Sequence, residues 1–366
     1  MKTFIVVLFV CIWGVLDSAK ATSFESLESM KPLDSVRLAE STQLKESSAH
    51  SQALLQTQAH FPLEIKDFWH STIFDAPAKT HIFLSFCEMI AMLDIWEGAR
   101  GLSRHVFYEP LLRQSYPLID TLPKIGGGNG STINPEMLKR INPDVVFVWA
   151  GDKKLVDFSR KLGVKMIAFY PQSIYELFAT LYRIALVFDK QEMYLKKQDK
   201  AFEMIELITS RTKSLPHKKR AIYIWDKLTS ISGRVGMVGD MLEIAGLDSM
   251  GKDMRVDSYQ TNVESILRFD PEVIFIWGGS SLNEATLYAN PQLKNITAIQ
   301  NKKVYKLPIW DNWGPRIVQT SLLVSALAYP TLFDKQEVRT QIQNLNLMWF
   351  GLKEFPATIP LLDEPQ

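Results

Sequence analysis

Residues 134–151 read NPEMLKRINPDVVFVWAG, and residues 262–279 read NVESILRFDPEVIFIWGG. The second stretch follows the first by 128 residues without a gap. Asn134/Asn262, Glu136/Glu264, Arg140/Arg268, Pro143/Pro271, Val145/Val273, Phe147/Phe275, Trp149/Trp277 and Gly151/Gly279 are identical pairs. A period this long exceeds that of a solenoid unit, so the chain is expected to hold two similar domains. Asn134 and Asn262 suit helix N-caps, because a side-chain oxygen accepts an orphan backbone N–H. Pro135 fits the first helical position, and Glu136 and Glu264 oppose the helix dipole. Asn142-Pro143 and Asp270-Pro271 stop each helix. Val145–Trp149 and Val273–Trp277 then run apolar on both faces, as buried parallel strands do. Ligands of open α/β sheets bind outside the carboxyl ends of such strands, so Trp149 and Trp277 are expected to face a crevice.

Outside the repeat, 366 residues suffice for two domains with ample cores. A net charge of +1 without long runs of one sign argues against nucleic-acid binding. Residues 1–21 read as a signal peptide: Lys2, an apolar Phe4–Leu16, and the Ala19-Lys20-Ala21 cleavage site before Thr22. Cys11 raises a lipoprotein alternative, against which stands Val10 in place of a small residue. Cys87 is then the single cysteine of the mature chain and forms no intrachain disulfide. Residues 22–59, rich in Ser, Glu, Gln and Lys, read as a flexible spacer.

The first α/β lobe spans 60–172. His81–Phe86 and Lys165–Tyr170 are expected strands, and Lys153–Leu162 a helix. The glycines of Ile125–Gly130 lack a following Gly-Lys-Ser/Thr and form no phosphate cradle. Between 173 and 215 helical spacing persists, predicting one long helix or two in line. The second lobe, 216–366, has strands at Ala221–Trp225 and Lys303–Leu307. A turn is expected at Ser230–Arg234, then a helix at Asp240–Ala245 closed by Gly246. Trp310–Arg316 is a loop entering a helix that runs to Ala328, and 333–351 is a C-terminal helix.

Catalytic signatures are missing: there is no G-x-S-x-G and no H-E-x-x-H. The six histidines, His50, His60, His70, His81, His105 and His217, include no i, i+4 pair. What gathers instead, at expected loop ends, is Arg104, His105 and Tyr108, then Trp149 and Tyr170, then Trp225 and Arg234, then Trp277, Trp310 and Trp313. Arginines among aromatics suit a bulky, flat or anionic ligand. Arg316, just inside its helix, reads as structural.

The paired Asn-x-Glu helices and their strands, Ser232-Gly233 before DMLEIAG at 240–246, Lys302-Lys303-Val304-Tyr305 and Trp313-Gly314-Pro315-Arg316 come in this order over about 61–351. Together they resemble the helical-backbone (class III) periplasmic substrate-binding proteins of ABC importers, in particular the ferric siderophore, haem and cobalamin group. The resemblance implies two Rossmann-like lobes with mostly parallel sheets, joined by one long rigid helix. It implies capture of an iron chelate between them, with cobalamin, haem or a nickel chelate as alternatives, and delivery to an inner-membrane permease and its ATPase. It implies no enzyme activity and no bound cofactor, a monomer in the periplasm, and Glu136 and Glu264 as the permease-docking pair. An exported two-lobed enzyme is the competing class.

Overall fold

The computed structural model describes residues 59–126, 133–352 and Leu362. The expected signal peptide, nearly all of the spacer, Gly127–Gly130 and the Tyr108 side chain lie outside the described residues.

A hairpin of β1 (Leu63–Lys66) and β2 (Ser71–Phe74) opens the first lobe. The lobe's sheet consists of β3 (His81–Phe83), β4 (Ala99–Ser103), β5 (Lys124–Gly126), β6 (Val145–Trp149) and β7 (Met166–Phe169). Its order is β5-β4-β3-β6-β7, parallel throughout. The crossovers carry α1 (Glu88–Met92), α2 (Pro110–Ser115), α3 (Pro135–Ile141) and α4 (Lys153–Lys161). The chain winds outward from β3 to β5 and then restarts at β6 beside β3, so the topological switch lies between β3 and β6.

Two helices follow, α5 (Ile174–Val187) and α6 (Gln191–Thr212). They are not in line, which corrects the sequence expectation. Tyr194 donates its hydroxyl to the Phe178 carbonyl at 2.8 Å, and the Phe202 ring lies 5.3 Å from Phe178 and 5.8 Å from Tyr175. The pair is therefore a hairpin, turned at Asp189 with φ 53°. Aspartate tolerates this left-handed conformation, and neither Gly nor Pro marks the turn. The chain passes from the first lobe to the second along α6, whose 22 residues span about 33 Å. Near its start Lys197 donates to the Met92 carbonyl of α1 at 2.6 Å.

The second lobe's strands are β8 (Arg220–Ile224), β9 (Ser230–Ser232), β10 (Asp248–Ser249), β11 (Ser258–Gln260), β12 (Val273–Ile276) and β13 (Val304–Lys306). The order is β11-β9-β8-β12-β13, with β10 on the β9 side of β8. The β10, β8, β12 and β13 strands run parallel, while β9 pairs antiparallel with β8 and β11. A turn was expected at Ser230–Arg234; instead Ser230–Ser232 hydrogen-bonds as a strand. The helices are α7 (Met237–Ile244), α8 (Val263–Phe269), α9 (Glu284–Tyr288), α10 (Thr297–Gln300), α11 (Ile317–Ala328) and α12 (Lys335–Phe350). At the far end of α6, Thr212 donates to the Ile244 carbonyl at 3.1 Å. Gly246 lets the chain pass there: its φ is 72°, and a Cβ would sit 2.7 Å from that of Thr212.

Both repeats fold as read. Asn134 accepts from the Met137 N–H at 3.1 Å and Asn262 from the Ser265 N–H at 2.8 Å. Each helix ends on a left-handed residue, Asn142 at φ 51° and Asp270 at φ 49°. The strands that follow are buried along nearly their whole length.

The core joins the lobes through α11 and α12. Every residue of α11 is buried, as expected of a helix apolar all round. Its Thr320, Ser321 and Ser325 hydroxyls donate to carbonyls one turn back, so none is left unpaired. The last helix, α12, packs on α11 and α6 and returns to α1 of the first lobe. Trp349 is fully buried there and donates its indole N–H to the Lys197 carbonyl at 3.0 Å. Trp349→Ala is expected to destabilise the protein by about 3–5 kcal/mol, read as a lower urea midpoint at unchanged slope.

Candidate functional site

The carboxyl ends of both sheets carry indoles at matching places. Trp149 ends β6 at the first switch point, and its backbone N–H donates to the Ser85 hydroxyl, just after β3, at 3.0 Å. In the second lobe the switch falls between β8 and β12. Trp225 follows β8, and Trp277 follows β12 with its backbone N–H on the Ile224 carbonyl at 2.8 Å. Gly279 gives the Trp277 ring its place, since a Cβ there would lie 2.6 Å from it. Trp313 arrives on the loop before α11, its backbone N–H donating to Asp311 Oδ1 at 2.8 Å.

These rings form one row across the lobe boundary. Tyr170 lies 5.1 Å from Trp149, Trp149 lies 5.8 Å from Trp313, and Trp313 lies 6.0 Å from Trp225 with planes 16° apart. Trp277 continues the row 5.9 Å beyond Trp225. The rings pack closely enough that the cleft around them leaves a cavity of only about 30 Å³. Gln172, Gly236, Asp257 and Asn312 add polar groups to its walls. The Gly236 N–H crosses to the Gln172 carbonyl at 2.8 Å, with Gly236 at φ 92°. Asn312 is held by donating to the Tyr223 hydroxyl at 2.9 Å. Burial, and secondarily the Asp257 carboxylate, raises the Tyr170 phenol above its ordinary range.

Other candidates from the sequence stand beside the cleft or away from it. Arg104 and His105 are exposed on a single 3-10 turn after β4. The His105 charge bears on Asp311 across the lobe boundary. Arg234 is exposed next to the cleft residues Val235 and Gly236, with only a loose 3.7 Å pairing to Glu243. Trp310 is turned inward and 8% exposed, because the Arg316 guanidinium covers its face at 4.4 Å. The sequence reading did not single out Gln172, Gly236, Asp257 and Asn312; only the glycine before a helix start gave any local signal.

Beneath Trp313 lies a buried ion cluster. Arg316 is 0% exposed; its Nη1 lies 2.8 Å from Glu109 Oε1 and 3.9 Å from Glu88 Oε1, both of the first lobe. Its Nε donates to Gln319 at 3.2 Å. Burial pushes the Glu88 carboxyl well above its ordinary range and raises Asp311 as well. Among the described residues no group of three or more His, Cys, Asp or Glu is placed to hold a metal ion. None of the helices described is long and apolar enough to cross a membrane.

The profile described as "periplasmic binding protein" matches residues 88–309. The crystal structure of Helicobacter pylori CeuE with Ni(II) bound is 28% identical, with TM-score 0.73 over 80% of this chain and 97% of that one. A second structure of that protein is a Ni-His complex, also 28% identical, with TM-score 0.72 over 79% of this chain and 96% of that one. The Haemophilus influenzae molybdate binding protein MolA, 17% identical, shares the fold with TM-score 0.71 over 80% of this chain and 99% of its own.

Removing the cation from the cluster leaves the buried Glu109 carboxylate without the guanidinium that lies 2.8 Å from it. Arg316→Met is expected to cost about 3–5 kcal/mol at neutral pH, measured by chemical denaturation.

Proposed function

The chain belongs to the periplasmic binding protein family, and from that premise we propose that it captures a metal chelate between its lobes for an ABC importer. The observation that carries this reading is the row of five aromatic rings at the carboxyl ends of both sheets. Flat π-faces with few fixed polar groups hold an organic shell by stacking and desolvation. Such a cleft takes a chelate whose ligands present planar faces, and among the described residues it offers no side-chain cage for a bare ion. Arg234, exposed next to the cleft residues Val235 and Gly236, and Arg104, exposed on the turn after β4, supply charge-assisted hydrogen bonds to an anionic chelate in this proposal. An iron chelate of the siderophore kind fits that combination. The Ni(II) and Ni-His complexes of the 28% identical CeuE favour a second reading, a nickel chelate with small heteroaromatic ligands.

The receptor acts in the periplasm, brought there by the segment 1–21, and hands its ligand to a membrane permease. Glu136 and Glu264 are the docking residues of this proposal. Both are exposed in the first turn of matching helices, and neither carboxylate has an ion pair among the described residues. Two similar lobes presenting one acid each can address two similar permease subunits. No step of this function needs turnover of the ligand.

Tryptophan-fluorescence titration with ferric siderophores, ferric citrate, haemin, cobalamin and nickel–histidine tests the ligand reading. Saturation by a chelate and not by its free metal is the expected result; no saturation by any of them removes it. With the ligand so found, Glu136→Arg plus Glu264→Arg should keep the affinity. The same variant should lose uptake in reconstituted vesicles, because like charges then meet at the interface. Uptake equal to that of the unaltered protein would reduce both glutamates to helix-dipole partners.

A further inference from the structure

One donor in the aromatic row has nothing to bond. Trp225 Nε1 is shielded from solvent and has no hydrogen-bond partner among the described residues. Its ring is held by three others. Trp313 stacks on it at 6.0 Å with planes 16° apart, while Tyr223 and Trp277 meet it edge-on at 5.0 and 5.9 Å. The indole cannot turn its N–H out to water without giving up that packing. Native structures leave few buried polar groups alone, because each unpaired one costs free energy.

Trp225 lines the cleft, and the cavity there, about 30 Å³, has room for about two water-sized atoms. Two further neutral donors line the same space. Asn312 is 4% exposed and gives one Nδ2 hydrogen to the Tyr223 hydroxyl at 2.9 Å, which fixes the amide and leaves its second N–H. Tyr170, on the first-lobe wall, keeps its O–H, because burial raises the phenol. The Gly236 N–H is already taken by the Gln172 carbonyl. No cation is among the lining residues, and their one charge is Asp257, which is exposed and accepts the Ser258 N–H at 2.6 Å.

This pattern selects an oxygen acceptor of a particular kind. The Asp257 charge repels a free carboxylate, and the aromatic walls disfavour an uncompensated anion. A carboxylate bound to a chelated metal brings its counter-charge with it. When it binds the metal through one oxygen, its second oxygen keeps free lone pairs. In a hydroxamate or catecholate chelate both oxygens of each group are on the metal. We propose that the inner part of the cleft takes a metal-bound carboxylate of the chelate, with the Trp225 indole N–H donating to its free oxygen. The receptor then selects chelates built from carboxylate-bearing ligands. This inference rests on the chelate reading given above and narrows it.

Matched chelates test it by fluorescence titration of the unaltered protein. Nickel–histidine and ferric citrate carry carboxylates; nickel–histamine and a ferric trihydroxamate without a carboxyl group do not. At least one of the first two should saturate the protein, and both of the others should bind about ten- to a hundredfold more weakly. Free histidine and free citrate should not compete. Trp225→Phe, which keeps an aromatic face and lacks the donor, should lose most of the preference for the carboxylate chelate. A carboxylate-free chelate that binds as tightly as the better of the first two would overturn the proposal and leave the chelate reading standing. A folded Trp225→Phe protein with the full preference would also overturn it. No saturation by any of the four would remove the proposal together with the reading beneath it. The comparison of chelates needs no variant, so it decides even where Trp225→Phe does not fold.

Discussion

A single guanidinium, buried at the lobe boundary, organises the centre of this protein. Arg316 stands at the entry to α11, the fully buried helix, and reaches across to Glu109 of the first lobe. The pair brings the loop 310–316 against the first lobe and so sets where Trp313 stands in the cleft. A buried ion pair is weak evidence for net stability, because desolvation offsets much of the attraction. Its effect here is geometric. The Trp310 ring, Gln319 and the two glutamates leave the guanidinium one arrangement, and the loop backbone follows it. The aromatic row, the Gly236–Gln172 backbone bond and the contact of Gly314 on Glu88 all lie on the same boundary.

The parts legible in the sequence are those governed by local chemistry. Asn134 and Asn262 cap as expected, the two apolar runs form buried strands, and α11 ends at Ala328 as its spacing indicates. The duplication also placed Trp149 and Trp277 at strand ends, because the side-chain pattern of a buried strand ends where the apolar run ends. What stayed hidden depends on distant partners or on unmarked turns. Asp189 reverses the chain between α5 and α6 with no Gly or Pro to announce it. Ser230–Ser232 becomes a strand because β8 and β11 offer it edges, not because of its own propensity. Trp310 has the same composition cue as Trp313, yet Arg316 draws one inward while the other meets Trp149 and Trp225. The acid cluster was invisible for a similar reason: Glu88, Glu109 and Arg316 come from three separate elements.

The cleft's chemistry narrows the ligand more than the fold does. Proteins sharing this architecture are described with Ni(II) and with molybdate, so architecture alone selects no ligand. Within this chain, indoles dominate the walls, and Asp257, Gln172 and Asn312 are the polar groups set among them. Stacking is tolerant of the exact ring, whereas buried hydrogen-bonding groups reject ligands that leave them unpaired. In the proposed chelate reading, selectivity rests on those few polar side chains and on Arg234 beside them, with the aromatic row supplying affinity.

In the proposed function the ligand sits against the aromatic row between the lobes. Fluorine NMR of 5-fluorotryptophan-labelled protein tests it most directly, with single Trp→Phe changes to assign the resonances. On adding the saturating chelate, the signals of Trp149, Trp225 and Trp313 should shift, while that of Trp349, buried against α6, should stay in place. Binding that leaves the three cleft resonances unmoved would contradict the account.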